Sequence, residues 1–416
     1  MSQVRELSPA QRRLVLVVAF LALVFDGVEL GLMPVASLSV SRCLLGEAFT
    51  PTLGGDWFAR FTAALMLGAA IGGIFLGSLG DRIGRAKAMG VSILFYSLFA
   101  ALGGWAQTQE QMLVLRFLVG LGVGGLWPNG IALVSECWVG AKRALVSGAM
   151  MAGLNAGILL VSQLARVWPV TPDSWRWIFL LAGAPALLGV FVLVALPESP
   201  RWLATRGAEK APSPPLQELF SAKLIRFTLV GIAVSAIPMV GAWSASKWMI
   251  PWADHVAGAT HGGYKAATQG WWALGAVIGS FGGAQLAAWL GRRRSYFLIS
   301  LGAVTLTMAM FQLTAPLQPG FHAIVFAQGL VSTLFFGWLT LYLPELFPTH
   351  VRATGSGLAY NSGRFATAAG VLLAGFLFTA LGGDYARVGT LCATIYALGL
   401  VVIWFAPDTA KKSLDS

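Results

Sequence analysis

The sequence predicts an all-α membrane protein: twelve transmembrane helices in two pseudo-symmetric six-helix bundles around a central cavity. Three observations carry that prediction. Hydrophobic residues make up 57% of the 416 positions and charged residues only 11%, against about 25% charged in a soluble domain. The apolar residues fall into runs long enough to cross a bilayer, which takes about 20 residues. Turn residues then repeat at a spacing of 207 to 209 positions, as expected of two related halves.

The first half contains the runs Leu14–Leu38, Trp57–Leu79, Ala86–Trp105, Met112–Ser135, Leu145–Val167 and Trp175–Leu196. The second half contains Leu224–Trp248, Thr268–Leu290, Tyr296–Leu313, Phe321–Leu343, Gly355–Leu381 and Arg387–Phe405. The longest polar break, Pro197–Ala222, carries Pro212, Pro214 and Pro215, which oppose a continuous helix. Residues 1–196 are therefore read as one bundle, 197–222 as a linker, and 223–416 as the second bundle with a short tail. The first run has the length of a full span and no well-placed cleavage site, so it is expected to stay as a helix.

Charge sets the orientation. An even number of spans puts both termini on one side, and that side carries 19 of the 28 Lys and Arg residues, against six on the other. The positive-inside rule then places both termini in the cytoplasm of a cell whose inner membrane holds the chain. The net charge of +11 is topological on this reading, and a nucleic-acid partner is unnecessary. Cys43, Cys137 and Cys392 lie far apart and suggest no metal site or disulfide framework. The four histidines fall near loops, and the spans hold no His pair or Ser–His pair, which argues against an enzyme.

Several turns on the terminal side carry ordered charges. The loop Gly77-Ser-Leu-Gly-Asp81-Arg82-Ile-Gly84-Arg85 joins the second and third runs. Gly84 permits a tight reversal, and Asp81 can cap a neighbouring helix or pair with an arginine. Its echo ends in Gly291-Arg292, with Ala288 in the place of Asp81, so a weaker latch is expected there. Glu136 and Arg143 bracket the next such turn, and Glu345 and Arg352 bracket its counterpart. Charge pairs between the bundles, gating or bracing them, are the expected use of these four residues. After the sixth run, Ser199 is placed to cap a short helix that starts at Pro200.

Inside the membrane, polar groups are few and costly. Arg116, Gly120, Gly124 and Pro128 recur every four residues, a stripe that invites close helix approach. Asp26 and Glu29 lie three apart on one helix face. Burial and mutual repulsion penalise the ionised form of such a pair, so it can take up a proton on one side of a membrane and release it on the other. The alternative is permanent neutralisation by Arg116 or Lys247. Three cations, Arg116, Lys247 and Arg364, remain within spans. With Trp243 one turn from Lys247 and Asn155 at the repeat position of Arg364, they suit a small organic anion. Lys247 could instead snorkel to the outer surface. Trp248, Trp252, Trp271 and Trp272 are read as an interfacial aromatic belt.

The loop from Gly77 to Arg85 resembles the signature loop of the major facilitator superfamily. Pro197-Glu-Ser-Pro-Arg-Trp-Leu203 resembles a sequence of its sugar porters and related organic-ion transporters. Asp26-Gly-Val-Glu29 and Gly125-Leu-Trp-Pro128-Asn129 resemble the first and fourth helices of aromatic-acid/proton symporters. The resemblance implies an alternating-access transporter, proton coupling through Asp26 and Glu29, and substrate contact by Arg116 and by Arg364, which matches an arginine of anion carriers. It departs in two places. The double Gln of sugar porters is missing near Trp243, and the Gly-Pro motif of drug antiporters is missing near Asn155. The expectation is a monomeric symporter of a small organic anion, using a proton gradient and no bound cofactor, with lipid as its surroundings. A carrier of sugars or other neutral metabolites and a non-transporting sensor are the rival readings.

Overall fold

The computed structural model describes residues 7–137, 143–205, 216–348 and 351–409. Arg143's side chain and residues 206–215 of the linker fall outside the described set. Among the described residues, eleven helices are long and apolar enough to cross a membrane, and a pair bent by 45° completes a twelfth span.

Helix α1 (Pro9–Leu45) starts at Ser8, whose hydroxyl accepts from the Gln11 N–H while the Gln11 side chain accepts from the Ser8 N–H. Helices α2 (Pro51–Ile83) and α3 (Arg85–Gly103) flank Gly84, which has φ 109°, a conformation suited to glycine. Helices α4 (Gln109–Cys137) and α5 (Arg143–Val167) follow. The sixth span runs from Arg176 to Ala195, close to the expected run, with a short turn at Gly183 and Pro185 between α6 (Arg176–Ala182) and α7 (Ala186–Ala195). Short helices α8 (Pro200–Thr205) and α9 (Leu216–Leu219) lie in the linker region.

The seventh span runs further than the sequence suggested. Helix α10 (Ile225–Val240) passes through a π segment, Gly241–Ala245, and a 3-10 turn, Ser246–Trp248, into α11 (Met249–Ala257). Pro251 does not end it, because it falls in the first turn of α11, where a missing N–H costs little. The eighth span is the bent pair α12 (Tyr264–Gly279) and α13 (Gly283–Leu290). Helices α14 (Arg292–Gln312), α15 (Phe321–Leu346), α16 (Arg352–Ala380) and α17 (Tyr385–Val402) complete the chain.

The glycine stripe does what its spacing implied. A Cβ on Gly120 or Gly124 would strike the Leu65 or Ala69 carbonyl, so α4 lies backbone-to-backbone on α2. The second half repeats this contact: Gly275 and Gly279 of α12 press on the Phe326 and Leu330 carbonyls of α15. Between the halves, α2 packs on α16 and α5 on α12. On the side away from the termini, every residue of α1 from Gly31 to Ser41 is buried. The halves are closed on each other there.

Candidate functional site

A cavity of about 110 Å³ lies midway along the bundle, far above the roughly 10–15 Å³ needed for one water. Both halves line it. The first half contributes Asp26 and Asn155, and the second Trp243, Lys247, Trp272 and Arg364.

Asp26 is buried, and its Oδ1 has no hydrogen-bond partner among the described residues. It lies within electrostatic reach of Arg364 and Glu29. Arg364 crosses to the first half, where its Nη1 donates to the Ala69 carbonyl at 2.9 Å, and its guanidinium sits 5.6 Å from the Tyr360 ring centroid. Lys247 does not snorkel. It is 2% exposed, and its ammonium lies 3.3 Å from the centroid of the Trp272 ring and 6.0 Å from that of Trp243. Its Nζ has no hydrogen-bond partner among the described residues. A cation–π contact supplies about 0.5–2 kcal/mol, less than the several kcal/mol that desolvating an ammonium costs. A protonated Lys247 is therefore short of an anion. Asn155 Nδ2 bridges the halves to Ser280 Oγ at 3.0 Å.

Glu29 and Arg116 are placed elsewhere than the sequence suggested. Arg116 Nη1 donates to Glu29 Oε2 at 2.9 Å, both side chains are 1% exposed, and neither lines the cavity. Of the two sequence alternatives, the geometry pairs Glu29 with Arg116 inside the first bundle and leaves Asp26 at the cavity wall. Lys247 makes no ion pair with either carboxylate among the described residues. The belt reading of the tryptophans holds for Trp271, which is 45% exposed. It fails for Trp248 and Trp272, which are buried. Trp252 is partly buried and stacks on Phe311 at 5.5 Å. A tryptophan run cannot report which rings face lipid, because neighbouring positions of one helix point to different sides, Trp271 of α12 outward and Trp272 inward.

The charged turns pair within each half. Arg85 Nη2 contacts Asp81 Oδ1 at 2.6 Å, and its Nε lies 3.6 Å from Glu136 Oε1. Glu136 also accepts from the Ser199 hydroxyl. Ser199 caps α8 as expected, accepting from the Trp202 N–H at 3.2 Å. Of the two uses open to Asp81, the structure shows the pair with an arginine, and Glu198 accepts from the Ala86 N–H at the start of α3. Arg82 is exposed. In the second half, Arg292 grips Glu345 through two bonds, 2.7 and 3.1 Å, and Thr409 adds a third at 2.5 Å. Arg352 Nε donates to the Phe347 carbonyl at 3.4 Å. The Arg85–Glu136 and Arg292–Glu345 pairs thus each lie within one half, where pairs between bundles were expected.

Sequence reasoning missed the closure on the far side. Lys265, counted there as a loop charge, is buried and donates to Asp254 Oδ2 and to Ser39 Oγ of the first half, each at 3.0 Å. One turn on, Gln269 Nε2 donates to the Gly31 carbonyl at 2.9 Å and to Ser162 Oγ at 3.0 Å. The signal was present: Lys265, Gln269 and Trp272 share one face of an otherwise apolar helix.

Residues 15–371 match the family model described as Major Facilitator Superfamily. The chain belongs to the major facilitator superfamily. It is a multi-pass membrane transporter with a small-molecule substrate, and not an enzyme. It is 32% identical to a probable 4-methylmuconolactone transporter of Cupriavidus pinatubonensis, over 85% of this chain and 82% of that one. It is 30% identical to the cis,cis-muconate transport protein of Acinetobacter baylyi, over 91% and 92%. A crystal structure of a double-tryptophan XylE mutant matches with a TM-score of 0.71 at 16% identity, over 98% of both chains. That likeness establishes the fold of this superfamily member and nothing about its cargo.

Proposed function

We propose that this chain is a proton-coupled symporter of a small unsaturated organic acid, working by alternating access in an inner membrane with both termini in the cytoplasm. The observation that carries the reading is the cavity itself: an unpaired ammonium at Lys247, the Arg364 guanidinium, and a single carboxylate, Asp26, on the wall. Two cations match the carboxylate chemistry of a muconate-type substrate, in keeping with the relatives named for muconate and a muconolactone. Asp26 is the group that carries the proton. When protonated it leaves Arg364 free for the anion, and when ionised it competes for Arg364. Glu29, held by Arg116, keeps the first bundle's core neutral and takes no direct part in proton transfer.

Energy comes from the proton gradient, with no bound cofactor. The two bundles rock about the cavity, and the turns at Asp81, Arg82, Gly84, Arg85, Glu136, Arg143, Glu345 and Arg352 brace or release them on the cytoplasmic side. Because one chain builds the whole cavity, the functional unit is a monomer. The test is uptake of cis,cis-muconate into proteoliposomes with acid outside. Concentrative uptake that collapses with the pH gradient supports the reading. Uptake indifferent to the gradient removes the coupling, and competition by neutral sugars in place of carboxylates removes the substrate class.

A further inference from the structure

We propose that Trp272 and Gln328 complete the carboxylate subsite at Lys247, with Trp272 as the platform under its ammonium and Gln328 as the residue that positions both. The proposal rests on the reading of the cavity as an organic-acid site.

Lys247 alone would be poorly placed to recognise a carboxylate, because a lysine side chain has many rotamers. Here it is confined. Its Nζ sits over the Trp272 ring at the cavity wall, and a contact to a ring face leaves its hydrogen-bond donors unused by the described residues. The orientation of that ring is fixed by its one polar atom: Trp272 Nε1 donates to Gln328 Oε1 at 2.7 Å. An indole N–H can only donate, so the amide of Gln328 must present its oxygen to Trp272 and its NH₂ the other way. That NH₂ is fully used, reaching Ser246 Oγ at 2.5 Å and Thr307 Oγ1 at 3.2 Å.

Ser246 immediately precedes Lys247, at the place where the seventh span leaves α geometry. Backbone there passes from π to 3-10 geometry, so the α-helical ladder is interrupted. The Ser246 hydroxyl, which also lies 3.3 Å from the Tyr396 hydroxyl, ties it to neighbouring helices. One buried amide on α15 therefore holds both members of the pair, the ring through its N–H and the lysine through the residue before it. Gln328 is itself fully buried and does not line the cavity, so it acts only through those two. A planar conjugated carboxylate fits this arrangement, its anionic end on Lys247 and its flat body against the Trp243 and Trp272 rings.

The test is the concentration dependence of cis,cis-muconate uptake by reconstituted full-length protein carrying Gln328→Leu, Trp272→Phe, both, or Gln328→Glu. Gln328→Leu is expected to raise KM about 10-fold, the scale of losing one buried hydrogen bond and the placement it enforces, with the maximal rate within about twofold of wild type. Trp272→Phe keeps a ring face but loses the N–H, and is expected to raise KM similarly. The double variant should then be no worse than Gln328→Leu alone, because the bond that Trp272→Phe removes is already lost there. Gln328→Glu keeps the acceptor for Trp272 and should hold KM closer to wild type than Gln328→Leu does. Additive effects, or a lower maximal rate with KM unchanged, would overturn the proposal. If Gln328→Leu does not fold, an unchanged KM in Trp272→Phe overturns it as well. A wild-type protein that shows no saturable muconate uptake while carrying a neutral metabolite removes both this inference and the reading beneath it.

Discussion

The two halves share their scaffold and differ at the cavity. Arg85 and Arg292 occupy equivalent turns and reach equivalent glutamates, Glu136 and Glu345. The glycines that bring α4 onto α2 have partners that bring α15 onto α12. Yet the first half gives the cavity a carboxylate and an amide, Asp26 and Asn155, while the second gives it Lys247 and Arg364. Residues that set helix spacing are held to the repeat by backbone contact. Residues on the cavity wall are free of that constraint, and there the halves have specialised.

The contrast can be broken at several points. The largest effect is expected at the buried pair of the first half. Arg116→Leu leaves Glu29 uncompensated and should cost about 3–5 kcal/mol, read as a large fall in melting temperature of the purified protein. Glu29→Leu combined with Arg116→Leu should recover most of that loss, since it removes both charges. No recovery would mean that the pair braces the bundle through its geometry.

Next comes the second half's cavity wall. Lys247→Leu should raise the KM for a carboxylate substrate roughly 10- to 100-fold, the worth of about 1.5–3 kcal/mol for a charged hydrogen bond. Its melting temperature should hold or rise, because Lys247 Nζ is a buried polar group without a hydrogen-bond partner among the described residues. A fall in stability with KM unchanged would make it a structural residue.

The terminal-side pairs offer a finer comparison. Glu345 accepts two bonds from Arg292 and one from Thr409 and is nearly buried, whereas the more exposed Glu136 accepts from the Ser199 hydroxyl and lies 3.6 Å from Arg85 Nε. Glu345→Gln should therefore destabilise by about 2 kcal/mol, and Glu136→Gln by less than about 1 kcal/mol. Thermal melts in detergent can rank them, and equal losses would contradict the asymmetry.

The smallest effect concerns the closed side. Gln269→Leu removes two bonds from the second half to the first, worth about 1 kcal/mol or more together, and should favour opening there about fivefold. Labelling by a membrane-impermeant maleimide at Ser37→Cys, in a background without the native cysteines, reads that shift. Ser37 is buried in the closed form, so faster labelling is expected, and unchanged labelling would mean that apolar packing alone holds the closure.

Much of this was legible in the sequence, for a definable reason. Span count and the repeat follow from runs of apolar residues and from glycines and charges at turns, which local physics fixes. Asp26, Trp243, Lys247 and Arg364 could be picked out because a polar group inside a membrane run is rare. What stayed hidden depended on which face of a helix meets which neighbour. Glu29 and Asp26 looked alike, three residues apart, and only the packing of α1 on α4 gives one to Arg116 and the other to the cavity. Trp272 looked like its neighbour Trp271, and its separate role emerges only with Gln328 behind it. Lys265 read as a loop charge because nothing local shows that α1 and α12 close over it.

Asp26 is where the proposed division of labour between the halves is most exposed to test. In proteoliposomes with an acid exterior, wild-type protein should accumulate cis,cis-muconate above equilibrium. Asp26→Asn should abolish that accumulation while still exchanging internal for external substrate in the absence of a gradient. Undiminished gradient-driven accumulation by Asp26→Asn would show that the proton travels by another group, and the division of labour between the halves proposed here would be wrong.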